Sequence, residues 1–177
     1  ADDFTINSTS GVFSFSSSPN FELPTDSNVD NVYTVIVMVT DNTSLTVTQT
    51  ITVTVTEVNE APVITSNSGG STANISYAEN GSSAVTTVTS IDVDAYSTAT
   101  YSLSGTDADD FSINSSTGIL TFNSSPNYEL ATDSDGNNEY IVIVTSTDNG
   151  SLTDSQTKTV TVTDDISEVR ASISSVT

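Results

Sequence analysis

The sequence predicts an all-β protein built from tandem Greek-key β-sandwiches. Three observations carry that prediction. The chain repeats itself, its apolar residues alternate with period two in several separate stretches, and no 3.6-residue period marks a helix anywhere. Sliding the 177-residue chain on itself by 107 positions aligns Ala1–Thr56 with Ala108–Thr163 without a gap, and about 36 of the 56 aligned residues are identical. Ala1-Asp2-Asp3-Phe4 returns as Ala108-Asp109-Asp110-Phe111, and Pro19-Asn20-Phe21-Glu22-Leu23 returns as Pro126-Asn127-Tyr128-Glu129-Leu130. By that period residues 61–166 form one complete repeat and residues 1–60 the C-terminal half of another. A half repeat cannot close a core alone. Either the sequence is cut from a longer array, or a neighbouring chain supplies the missing strands.

The elements follow in order. Tyr33 to Val39 is a nearly continuous apolar run, and Tyr140 to Val144 repeats it; both are expected as strands buried on two faces. Thr50 to Thr56 alternates strictly, so one face meets the core and one meets water. Ala73 to Tyr77, Ala84 to Ile91 and Thr98 to Leu103 are three further strand candidates. Phe111 to Ile113 and Ile119 to Phe122 flank Asn114-Ser115-Ser116-Thr117-Gly118, a hairpin with Gly at the left-handed position. Lys158 stands where the first copy has Ile51, which predicts an exposed end for the last strand. Phe111, Ile113, Leu120, Tyr140, Val142, Val144, Val160 and Val162 are expected to line one core between two sheets. About seven short strands in roughly 100 residues is the spacing of a sandwich. Residues 167–177, where Val169, Ala171 and Ile173 alternate with polar neighbours, are expected outside that sandwich, as a tail or the start of the next unit.

Composition narrows the chemistry. Two Lys plus Arg stand against 23 Asp plus Glu, for a formal net charge of -21. Nucleic acid and anionic membrane surfaces are repelled by such a field, and no apolar run approaches the roughly 18 residues needed to insert in a bilayer. There is no Cys to staple the fold and no His to bind a transition metal or act as a general base. Hard, oxygen-liganded cations remain. Hydrophobic content of 34% suits disorder, but the clean alternation argues against it. No enzyme is expected, because only carboxylates can act as acid or base and none stands beside a nucleophile with an orienting partner.

The acids are not scattered evenly. Glu57-Val58-Asn59-Glu60-Ala61-Pro62 lies between the two copies, Asp92-Val93-Asp94 follows a strand candidate, and Asp41 and Asp148 each end an apolar run. Tyr77-Ala78-Glu79-Asn80, Asn20-Phe21-Glu22 and Asn127-Tyr128-Glu129 complete the set. These motifs, in this order, resemble the cadherin-like repeats of large bacterial surface proteins and adhesins over nearly the whole chain. Glu57 to Pro62 resembles that family's Asp-x-Asn-Asp-Asn-Ala-Pro linker, with Glu in place of Asp. Asn20 and Asn127 stand where the family has the Asp of Asp-Arg-Glu, at the cost of a charge. The hairpin of Asn114 to Gly118, followed by Ile119, is a further likeness.

The resemblance implies immunoglobulin-like, cadherin-like sandwiches that bind Ca2+. It implies an inter-repeat site of Asn20, Glu22, Glu57, Asn59, Glu60, Asp92, Asp94 and Asp148. It also implies a second site of Glu79, Asn127, Glu129, Asp164 and Asp165, although Asp164-Asp165-Ile166-Ser167-Glu168 departs from the family's linker pattern. The physics is compatible: calcium takes about six to eight oxygens, and a sandwich gathers its loops at two poles. Asp133-Ser134-Asp135-Gly136-Asn137-Asn138 resembles the start of a calcium loop, but the first copy reads Asp26-Ser27-Asn28-Val29-Asp30-Asn31, and a plain turn is the simpler reading. The function expected is a calcium-stiffened adhesion or extender module, extracellular or on a cell surface. Its partners would be neighbouring repeats of the same chain, with homophilic or fibre self-association. The alternative is a subunit of an extracellular fibre whose half repeat is completed by a neighbouring chain. A carbohydrate-binding module comes third, because the chain has no Trp and its aromatics fall on core positions.

Overall fold

A computed structural model describes residues 3–166, and the expectation for residues 167–177 falls outside them. The chain is all-β and divides into two compact units, Ala1–Val58 and Asn59–Thr177. Among the described residues no helix is long and apolar enough to cross a membrane.

The smaller unit is two antiparallel ribbons. Strands β1 (Phe4–Ile6) and β2 (Phe13–Phe15) form a hairpin whose turn is closed by Asn7, its Oδ1 accepting the amides of Thr9 and Ser10 at 3.0 and 2.9 Å. Gly11 ends that turn at φ 71°, a conformation that costs a side chain dearly and glycine little. Strands β3 (Val32–Thr40) and β4 (Thr46–Thr54) pair along their whole length. Phe4, Phe13, Phe15 and Tyr33 pack together with ring centroids 4.3 to 5.6 Å apart, Phe4 stacked on Phe13 and Tyr33 edge-on to Phe4 and Phe15.

The larger unit is a closed sandwich. Its strands are β5 (Val63–Ile64), β6 (Thr72–Ala78), β7 (Thr86–Thr87), β8 (Ser90–Ile91), β9 (Thr100–Ser104), β10 (Phe111–Ile113), β11 (Ile119–Phe122), β12 (Glu139–Thr147) and β13 (Thr153–Thr163). One sheet runs β6-β13-β12-β9, with β6 parallel to β13; the facing sheet runs β10-β11-β7, and β5 pairs with β8. Tyr77, Phe111, Leu120, Tyr140, Val142, Val160 and Val162 pack in one cluster, and Ile64, Val88 and Val144 in a second. The expected core residues are therefore interior, with Ile113 only half-buried and Val144 in the smaller cluster. The hairpins β1–β2 and β3–β4 correspond, through the 107-residue shift, to β10–β11 and β12–β13.

Three expectations need correction. Ala84 to Ile91 is not one strand: β7 pairs with β11 and β8 with β5, so the chain changes partner at buried Val88. Strand β12 is not buried on two faces, since Ile141 is 43% exposed and alternates with fully buried Tyr140 and Val142. In a two-layer sandwich one face of each sheet must meet water. Lys158 does not mark an exposed end either; it is 0% exposed. Period two places Gln156, Lys158, Val160 and Val162 on the inner face of β13, and register overrides residue type. The ammonium survives there by donating from Nζ to Asn67 Oδ1 at 2.8 Å and Gln156 Oε1 at 2.6 Å. Gln156 in turn donates from Nε2 to the carbonyls of Gly69 and Gly70 at 3.0 and 3.1 Å. Burial pulls the amine's pKa down to about 8.

Candidate metal centre

The larger unit brings the predicted acids into two clusters. The first is Asp92, Asp94 and Asp148, each with a carboxylate oxygen within 4.8 Å of the others. Asp92 and Asp94 follow β8, and Asp148 follows β12. The local sequence sets each one. Asp92 Oδ1 accepts the amide of Asp94 at 3.1 Å, and Ser97 Oγ donates to Asp92 Oδ2 at 2.6 Å. The Ser97 hydroxyl, and after it the Asp94 amide, hold the Asp92 carboxyl below the usual carboxylate range. Asp148 is buried and closes the turn into β13, its Oδ1 accepting the Leu152 amide at 2.7 Å.

Two residues ahead of β5 join this cluster. Asn59 Nδ2 donates to Asp148 Oδ2 at 2.7 Å, and the Glu60 amide donates to Asp94 Oδ2 at 2.9 Å. Gly150 makes room for the first of these, since a Cβ there would run into the Asn59 amide. What stays unsatisfied is informative. Asp94 Oδ1 is buried and accepts no hydrogen bond. Each pair of carboxylates about 4 Å apart repels by roughly 4 kcal/mol at an effective dielectric of 20. A buried, unpartnered oxygen facing that repulsion is the chemistry of a cation ligand.

The second cluster is Glu79, Glu129 and Asp164, again with oxygens within 4.8 Å. Glu79 is buried after β6, and its two oxygens accept the amides of Tyr128, at 3.0 Å, and of Asp165. Asp165 thus contributes its backbone. Asn127, one residue before Tyr128, has a buried Oδ1 without a hydrogen-bond partner.

Asn20, Glu22 and Glu57 fold with the smaller unit. Asn20 Oδ1 accepts the Leu23 amide at 3.0 Å, and Glu22 and Glu57 are exposed. Asp41 closes the β3–β4 turn. Its Oδ1 accepts from the Thr43 amide, the Thr43 hydroxyl and the Leu45 amide at 2.7, 2.8 and 2.9 Å. The Leu45 amide first, then the Thr43 hydroxyl, hold its carboxyl below the usual range. Asp133 is a turn former as well, accepting the Asn137 and Asn138 amides at 2.8 and 3.1 Å. Sequence reading missed Ser97, which orients Asp92, and the buried Lys158 network. A serine in a serine-rich chain carries no signal, whereas the parity of Lys158 in its strand did.

The cadherin domain family model matches residues 73–163, just over half of the chain. Mouse cadherin-23 EC22-24 is 21% identical at a TM-score of 0.60, over 93% of this chain and 50% of that one. Drosophila N-cadherin EC1-4 is 24% identical at 0.59, over 93% of this chain and 38% of that one. Human protocadherin-24 EC1-2 is 20% identical at 0.62, over 92% of this chain and 77% of that one. At these identities the likeness is one of fold. The chain spans half or less of the length of the first two structures. No curated protein sequence matches it.

Proposed function

The chain belongs to the cadherin family, and we propose that it is a calcium-stiffened extracellular adhesion or extender module of a bacterial surface or secreted protein. In this reading residues 61–166 are a complete repeat, residues 1–60 the C-terminal half of another, and residues 167–177 a tail or the start of the next. Asp92, Asp94, Asp148 and Asn59 hold calcium at the head of the complete repeat, with Glu60 beside them. Asn20, Glu22 and Glu57 complete the set from the preceding one. Bound calcium supplies the positive charge that offsets the repulsion among these carboxylates. Ligands drawn from both repeats then fix the angle between them, and a stiff array holds its distal end away from the cell. Glu79, Asn127, Glu129, Asp164 and Asp165 serve the following junction in the same way.

The observation that carries this reading is the buried, unpartnered Asp94 Oδ1 beside Asp92 and Asp148. Thermal melts and small-angle scattering, in calcium and in chelator, test it. Binding confined to the folded state adds about 2.7 kcal/mol at a hundredfold excess over the dissociation constant. Asp94→Ala should cancel the calcium-dependent shift while leaving the sandwich of residues 61–166 folded. A chain with the same melting temperature and the same scattering profile in chelator would sink the clamp.

A further inference from the structure

Asn-Gly occurs twice in the chain, at Asn80-Gly81 and Asn149-Gly150, and the fold treats the two pairs differently. Both asparagines are exposed. Asn80 is held from both sides. It has φ 56°, its amide donates to the Pro126 carbonyl at 2.8 Å, and the Gly81 amide donates to the Ala78 carbonyl at 3.3 Å. The Tyr77 ring packs on Gly81, 2.8 Å from where a Cβ would stand. Asn149 lies in the turn between β12 and β13. Among the described residues, neither its side chain nor the Gly150 amide is engaged in a hydrogen bond. The equivalent pair of the smaller unit is closed. In Asn42-Thr43 the Thr43 amide donates to Asp41 Oδ1 at 2.7 Å, and a β-branched side chain stands beside that nitrogen.

A free backbone amide directly after a free carboxamide is a reacting pair. The Gly150 nitrogen can close on Asn149 Cγ in a five-membered imide ring. The N–Cγ bond forms, the Cγ–Nδ2 bond breaks, and Nδ2 leaves as ammonia with the proton the amide gives up. Glycine has no Cβ to obstruct the approach, and an intramolecular attack needs no external nucleophile. Water then opens the imide at one of its two carbonyls. Opening at Cγ leaves aspartate. Opening at the main-chain carbonyl leaves isoaspartate, with the backbone running through Cγ and one methylene longer.

We propose that Asn149-Gly150 is a self-modifying site, whose conversion to isoaspartate releases Asn59 from Asp148. The turn has no slack for an added methylene. The Ser151 amide donates to the Asp148 carbonyl at 3.3 Å and the Leu152 amide to Asp148 Oδ1 at 2.7 Å, and both bonds span residue 149. Asn59 Nδ2 reaches Asp148 Oδ2 at 2.7 Å in the space that the missing Cβ of Gly150 leaves. A longer backbone between Asp148 and Gly150 shifts one against the other, and the fit of Asn59 over both is lost. The product also adds a carboxylate next to the cluster of Asp92, Asp94 and Asp148. Where Asp148 holds calcium, as proposed above, the clamp then has a lifetime; that consequence rests on the calcium reading, and the modification does not.

The full chain is aged in chelator at neutral pH and body temperature, then digested and its peptides weighed. Exchange of NH2 for OH is expected at residue 149, in a product that isoaspartyl methyltransferase labels. Asn80 and Asn42 should react at least about tenfold more slowly, because their neighbouring amides are held out of line. Asn149→Asp carries the new charge on a backbone of normal length. Its Leu152 amide should stay protected from hydrogen exchange, whereas the isoaspartate fraction should lose protection there by about tenfold or more. An Asn149 that survives as well as Asn80 would overturn the proposal. So would an isoaspartate fraction whose Leu152 and Asn59 signals match those of fresh chain. Calcium titration keeps the two readings apart: a fresh chain that does not bind overturns the metal, and an aged chain that binds as tightly as a fresh one overturns the release of Asn59.

Discussion

Residues 3–56 and 110–163 share about two thirds of their sequence and all four of their strands, yet they end in different environments. Val142 and Gln156 are 0% exposed; their counterparts Val35 and Gln49 are half-buried and exposed. The turns are alike too. Asn7 and Asn114 each cap a hairpin with two amides, and Asp26 and Asp133 each close a turn with two. Local sequence is thus enough to make hairpins, registers and turns. It is not enough to make a core, because β6, β7 and β9, the strands that close the larger unit, come from residues outside the shared stretch. Burial here is a property of the completed sandwich.

The comparison predicts unequal costs for equivalent truncations. Leu120→Ala should destabilise the larger unit by about 2–5 kcal/mol, and Val142→Ala by about 1–3 kcal/mol, since both side chains are 0% exposed. Val35→Ala, the same change in the first copy, should cost less than about 1 kcal/mol. Urea melts of the full chain, read by amide signals from each unit, separate the two. Equal losses for Val142→Ala and Val35→Ala would mean that the smaller unit is as fully closed as the larger.

The next difference is Lys158 against Ile51. In the unfolded chain a lysine ammonium titrates near 10.5, whereas burial brings Lys158 down to about 8. Between those values the unfolded state binds more protons, so stability rises with pH across the window, and the cost of the buried charge is present in full below it. Relative to Lys158→Ile, the wild type should gain about 2–3 kcal/mol between pH 7.5 and pH 10.5. Parallel pH profiles for the two proteins would show that the ammonium reaches water.

Lys158 also marks the limit of what could be read from sequence. The repeat, the hairpins and most strands were legible because alternation and turn residues are local signals. So were Asp92, Asp94, Asp148, Glu79 and Glu129, which motif order singled out and the fold draws into two clusters. The charge of Lys158 points to water, whereas its parity in the strand points to the core. Parity wins when two acceptors, Asn67 Oδ1 and Gln156 Oε1, stand ready on the inside. Asn67 lies 91 positions away, and nothing local announces it. The partner change at Val88 was hidden for the same reason: which sheet a short strand joins is decided by β5 and β11, not by its own residues.

The smallest expected effect on stability comes from a single difference in the β-turns after the long apolar strands. Copy one reads Asp41-Asn42-Thr43 and copy two Asp148-Asn149-Gly150. In copy one the Thr43 amide and hydroxyl both donate to Asp41 Oδ1, so the acid is absorbed by its own turn. In copy two Gly150 brings no hydroxyl and leaves the space in which Asn59 lies against Asp148. Gly150→Thr should therefore rebuild the self-contained turn of copy one at the expense of the Asn59 contact. The melt in chelator should move little, because a surface turn gains a hydrogen bond while another is lost. On the proposed calcium reading, affinity is the sensitive readout: with Asn59 displaced and Asp148 drawn toward the introduced hydroxyl, calorimetric titration should show binding weakened by about tenfold or more. Thr43→Gly, the reverse exchange, should leave calcium binding as it was. If Gly150→Thr binds calcium as the wild type does, Asn59 is no part of the ligand set and the linker is held to Asp148 for structure alone.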